Sequence, residues 1–163
     1  ISGPVVVFDD DHYYMGGVIA EQLRKRGLAV TLVTPAVEAS SWTHNTLEQG
    51  RIQKRLLEAG IEIVPCQKLA AVHAGHVELS CVYTDRLTER PAASVVMVTM
   101  RLPDEALYRS LSGSKNVSRI GDALAPATIA HAVFAGHRYA RELDEPKSDA
   151  VPFRRELASL GEF

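Results

Sequence analysis

Val5 to Phe8 is an unbroken apolar run, and Ser94 to Met100 reads the same way, as strands buried on both faces require. Between them the period changes. Gly16 to Arg26 has helical spacing with Val18, Ile19 and Leu23 inward, Gly27 follows as a C-cap, and Ala29 to Val33 reads as a strand. Ala36 to Asn45 is a Ser/Thr/Ala-rich loop with Trp42 and His44, which either overlies a site or interface or packs on itself. Thr46 to Gly60 predicts a second helix. In it Thr46 and Gln49 imitate a capping box, Leu47, Ile52, Leu56 and Leu57 share one side, and Gly60 closes the end. Ile61 to Val64 is a strand ended by Pro65. Lys68 to Tyr83 alternates as one or two strands around an Ala74-Gly75 turn, and Thr84 to Pro91 reads as a polar hairpin end. Asp104 to Leu111 is a short helix or turn.

This order predicts an α/β fold: the Rossmann-like NAD(P)H domain of two-dinucleotide flavoproteins, a parallel sheet with a small antiparallel insert. In a working unit the first turn reads G-x-G-x-x-G, because the backbone must bend sharply and approach a pyrophosphate. Here those places are held by Asp9, Asp11 and Tyr14. Asp9, Asp10 and Asp11 put negative charge where a diphosphate would sit, at roughly 1 to 4 kcal/mol per close like-charge pair, and Tyr14 adds bulk. The helix dipole favours acids there, so the aspartates read as internal replacements for phosphate in a vestigial phosphate turn. An ordinary acidic helix start fits the same residues, whereas a metal site lacks ligand spacing. The second strand ends in Thr34 and Pro35 without the acid that holds an NAD ribose, and no basic residue suited to NADP follows before Arg51. After the returning strand, Met100 stands where T-G-x-x-P would have its glycine. A tightly bound cofactor is not expected.

Composition narrows the partners. With 163 residues, 46% hydrophobic, and a net charge of -2, the chain suits a globular protein with ample core and argues against nucleic acid as a partner. Arg24, Lys25 and Arg26 suit a helix end. No apolar run reaches membrane-spanning length. Cys66 and Cys81 fit no metal spacing and read as reduced core thiols of a cytoplasmic protein. Opening on Ile1 without a secretory pattern, the sequence is expected to be a piece of a longer chain.

A second motif lies near the end. Val117 to Ile120 reads as a short strand, followed by Gly121, Asp122 and Ala123, then Pro126 at a helix's first turn and a small-residue face of Ile129, Ala132, Val133, Gly136 and Ala140. Strand, Gly-Asp, small-faced helix is a flavin-side signature, in which the aspartate meets a ribitol hydroxyl and the helix points at a pyrophosphate. A plain helix packed on the sheet is the other reading.

VVVFDDDHYYMGGVIAEQLRKRGLAVTLVT, TLEQGRIQKRLLEAGIEIV and RIGDALAPATIAHAVFAGHRYARE together resemble the C-terminal portion of the trimethylamine, dimethylamine and histamine dehydrogenases, in the group that includes 2,4-dienoyl-CoA reductase. The resemblance implies a parent with an FMN-bearing barrel and a [4Fe-4S] cluster, passing electrons to an electron-transferring flavoprotein, and an FAD-like domain that can hold ADP in place of FAD. It implies that this stretch, lacking barrel and cluster cysteines, is non-catalytic alone. A functional NAD(P)H-binding domain of a flavin-dependent reductase and a stand-alone regulatory or docking module are the alternatives. The expected division is 1–112, a degenerate Rossmann-like NAD(P)-type domain, and 113–163, a strand-helix segment returning to an FAD/ADP-binding-like domain, plus tail. The helix from about Pro126 to Leu143, hinged around Ser112, Gly113 and Ser114, is expected either to fold back or to pair with a second copy in a homodimer.

Overall fold

A computed structural model describes residues 1–113 and 116–144. The chain divides into two compact units between Met100 and Arg101.

In the first unit, β1 (Val5–Asp9) is buried at all five positions, consistent with its central place in a four-stranded parallel sheet. Its neighbours are β2 (Val30–Val33) and β7 (Ser94–Val98), with β3 (Glu62–Val64) beyond β2. The registers Val5↔Val30 and Val5↔Ser94 align β2 and β7 on β1. Because successive side chains alternate faces, β1 feeds two cores. Val5 and Val7 pack with Ala20 and Leu23 of α1 (Met15–Lys25) and with Ile52 and Leu56 of α2 (Gln49–Glu58). Val6 and Phe8 pack with Val77 and Leu79 of β5 (His76–Cys81). That strand lies between β4 (Gln67–His73) and β6 (Leu87–Pro91) in a three-stranded antiparallel sheet of its own.

The predicted Rossmann-like NAD(P)H domain is therefore corrected. The antiparallel strands are a separate sheet with fully buried residues covering one side of the parallel sheet, and Leu87–Pro91 is a paired strand where a hairpin end was expected. Periodicity sees strands; it does not see which sheet they join.

The helices differ in detail from expectation. Gly27 (φ +81°) and Gly60 (φ +71°) follow them in the left-handed region that glycine adopts without strain, as predicted. In α1, however, Val18 is 44% exposed, and the inner face is Gly16, Gly17, Ala20 and Leu23. Leu47 and Leu57 are also exposed. The second helix starts at Gln49 because Ser41–Thr46 forms a 3-10 helix of its own. Thr46 donates to the Thr43 carbonyl (3.0 Å), and the capping box does not form. Arg24 joins the two helix ends, donating from Nε to the Ala59 carbonyl (3.0 Å) and from Nη1 to that of Leu28 (2.9 Å). Cys66 and Cys81 are free and half-buried where core thiols were expected.

The second unit contains α3 (Ala106–Leu111) and α4 (Ile129–Arg141). Val117 to Ile120 is not a strand, and Pro126 lies ahead of the helix, whose N-cap is Thr128. Of the expected hinge, Ser114 lies outside the described residues, as does the tail beyond 144. Among the described residues no helix is long and apolar enough to cross a membrane.

Candidate functional site

The turn between β1 and α1 is filled by the chain itself. Asp9, the last residue of β1, is fully buried, and its Oδ1 accepts the backbone N–H groups of Asp11 (3.1 Å) and His12 (3.2 Å). These two bonds fold the acidic run back on the strand end, helped by His12 at φ +62° and by the Asp10 N–H donating to the Val98 carbonyl (2.8 Å). The other oxygen, Oδ2, is buried without a hydrogen-bond partner. It lies against the first turn of α1, where a Cβ on Gly16 would come within 2.5 Å of Asp9 Cγ and Oδ2. Only glycine at 16 lets the helix approach this carboxylate.

Burial pushes the Asp9 carboxyl above its ordinary value of 3.8, and the His12 and Asp11 N–H bonds and the nearby His12 ring oppose that rise. His12 Nε2 is 3.4 Å from Asp10 Oδ1, and its Nδ1 is 3.5 Å from Thr34 Oγ1. Thr34 is buried, so the strand end that lacks a ribose-binding acid is occupied by an internal contact.

Aromatic residues follow on the outer side. The Tyr13 ring stacks on Trp42 at 5.9 Å, and the backbone N–H of Trp42 donates to the His12 carbonyl (3.0 Å). Tyr14 reaches the start of α2, its hydroxyl donating to Glu48 Oε2 (2.5 Å) and lying 3.1 Å from Thr46 Oγ1. Its bond to Glu48 raises the Tyr14 pKa. The Tyr14 bond, followed by that of Thr46, holds the Glu48 carboxyl below the usual range. The Tyr13–Trp42 stack and the contact between Asp9 and Gly16 were not legible in the sequence. A glycine pair seven residues after an acid was the only signal of the second.

In the second unit, Gly121–Ala123 is a 3-10 turn with Gly121 at φ +55°. Asp122 Oδ1 accepts the Ala127 N–H (3.3 Å), tying the turn to the approach of α4. Arg119 lies 4.5 Å from the Tyr108 ring and pairs with Glu105. The bonds of Arg109 and then Arg119 lower the Glu105 pKa.

Residues 1–94 match the family described as the OYE-like second alpha/beta domain. The chain belongs to this family. As an OYE-like second α/β domain it is 47% identical to histamine dehydrogenase from Rhizobium sp. 4-9, at a TM-score of 0.91 over 99% of this chain and 26% of that one. It is 39% identical to the 6-hydroxypseudooxynicotine amine oxidase of Pseudomonas geniculata N1, at a TM-score of 0.78 over 82% of this chain and 21% of that one. It is also 30% identical to the dimethylamine dehydrogenase of Hyphomicrobium sp. (strain x), over 96% of this chain and 25% of the relative. The chain thus spans about a quarter of the length of these relatives. The expected resemblance to the C-terminal portion of the trimethylamine, dimethylamine and histamine dehydrogenases holds. The expectation of an NAD(P)H-domain fold is overturned by the match to the OYE-like second domain and to histamine dehydrogenase.

Proposed function

We propose that this chain is a non-catalytic structural portion of an amine dehydrogenase whose redox centres lie elsewhere in a longer protein. The observation that carries this reading is the buried Asp9 carboxylate. It fills the turn between β1 and α1 with the protein's own carboxyl, Oδ1 accepting two backbone N–H groups and Oδ2 lying against Gly16 at the helix start. The amine dehydrogenases among the relatives supply the reaction class.

In such a parent, FMN and a [4Fe-4S] cluster would carry electrons from the amine to an electron-transferring flavoprotein. A cluster of that kind takes four cysteine thiolates. This chain has two cysteines, so its own residues do not fit the cluster, and its contribution is the scaffold. Gly121, Asp122 and Ala123 would be the segment facing ADP or a flavin, with Asp122 fixed by its bond to Ala127. In the isolated chain the Ile129 and Val133 side of α4, exposed in the described structure, pairs with a second copy. Light scattering against a version truncated before Asn116 tests that pairing, and a monomer at all concentrations refutes it.

Titration calorimetry with NADH and NADPH tests the central reading. No binding is expected, and micromolar affinity for either would overturn it. A variant with glycine at positions 9, 11 and 14 separates the cause from the result. If the chain fails to bind and the variant does no better, the account from charge and bulk is wrong.

A further inference from the structure

The hairpin joining β4 to β5 carries two histidines opposite each other on its last rung. His73 and His76 are register partners separated by Ala74 and Gly75, with Gly75 at φ +86°. Their rings stack with centroids 4.7 Å apart and planes 19° from parallel. His73 is exposed and His76 half-buried, so solvent reaches the pair. The rung is also held from the far side, since His76 pairs with Pro91 of β6 and the Ala92 N–H donates to the Gly75 carbonyl (2.9 Å). Directly opposed residues of an antiparallel pair have Cβ atoms about 4.5 to 5.5 Å apart, and here three strands fix that spacing.

We propose that His73 and His76 form a two-imidazole chelate for a late first-row divalent cation, with copper(II) held more tightly than nickel(II) or zinc(II). Imidazole nitrogen suits these ions, and at fixed donors affinity peaks at copper. Metal–nitrogen bonds are about 2.0 to 2.1 Å, so a right-angled bite needs the two nitrogens about 3 Å apart. The hairpin register holds the two ring centroids 4.7 Å apart. What remains is a rotation of each ring about its Cβ–Cγ bond, which a solvent-accessible pair permits. Among the described residues no group of three or more His, Cys, Asp or Glu is placed to hold a metal ion. The chelate therefore completes its coordination with water or small anions, making an exchangeable site unlike the closed four-ligand sites that hold structural zinc.

Copper(II) titrated into the chain, followed by calorimetry and by electron paramagnetic resonance, tests this. One site with two nitrogen donors is expected. His73→Gln and His76→Gln should each weaken it by about tenfold or more. His131→Gln combined with His137→Gln should leave it unchanged, which matters because the chain has six histidines. Wild-type affinity in either hairpin variant, or loss of the site in the control, overturns the proposal. Paramagnetic broadening of backbone resonances gives a reading that needs no variant: broadening centred on the 73–76 turn supports the chelate, and broadening centred elsewhere refutes it.

Discussion

The two units contrast in how their hydrophobic patterns are used. In the first, β1 is buried from end to end and serves two cores, one under α1 and α2 and one under the antiparallel sheet. In the second, none of the described residues is buried, and α4 leaves Ile129, Val133 and Phe134 exposed although its periodicity is as regular as that of α1. An amphipathic pattern specifies a face, and burial needs a second surface to meet it. The first unit contains both partners of each contact. The second shows the pattern without the cover.

The largest effect should separate the units directly. Leu56 is fully buried between α2 and the parallel sheet, so Leu56→Ala should cost about 2 to 5 kcal/mol in urea unfolding. Phe134→Ala removes a larger side chain that is 67% exposed, and should change stability by less than about 0.5 kcal/mol. Equal costs would break the contrast.

Gly16→Ala comes next. Its Cβ would fall 2.5 Å from the Asp9 carboxyl, and the helix start and strand end have no room to part without disturbing Val5 to Val7. A cost of about 1 to 3 kcal/mol is expected. Asp9→Ala in the same chain should recover part of it, since it removes Cγ and Oδ2, both 2.5 Å from the added Cβ, and leaves Asp9 Cβ at 2.7 Å. A double-mutant cycle measures the coupling. Strict additivity would show that the turn is not held by this contact.

That contact also marks what the sequence conceals. The strands at Val5 to Phe8 and Ser94 to Met100, the Ala74-Gly75 turn and both helix-closing glycines were legible, because burial on two faces and a left-handed backbone leave local signatures. The acidic turn was legible as chemistry, yet only the structure separates Asp9, which turns inward, from Asp10, which stays at the surface. Val18 and Leu57 lie beside the buried positions of their helices and fall outside because the inner faces are narrow. The flavin-side stretch misled in another way. Val117 to Ile120 has strand composition but no neighbouring strand to pair with among the described residues, and composition alone does not make a ladder.

Asp9 provides a pH test of the filled turn. Its carboxyl is pushed above 3.8 by burial, so the folded chain binds that proton more tightly than the unfolded chain. The stability it contributes is present at acid pH and is lost as pH rises from 3.8 through the folded value. Asp9→Asn lacks this titration and should gain stability relative to the parent across that window. Unfolding midpoints that run parallel in the two proteins would show Asp9 to be solvated.

The smallest effect concerns the outer side of the same turn. Tyr14 and Glu48 are held together by one hydroxyl–carboxylate bond, and Glu48 titrates below its usual range first because of that bond and second because of Thr46. Tyr14→Phe keeps the ring and deletes the donor, so the Glu48 carboxyl should titrate at higher pH while remaining partly depressed by Thr46. Thr46→Val should move it less, in the order of the two contributions. Carboxyl carbon shifts followed by NMR resolve both steps. A Glu48 titration unmoved by Tyr14→Phe would mean that Tyr14 is turned elsewhere in solution.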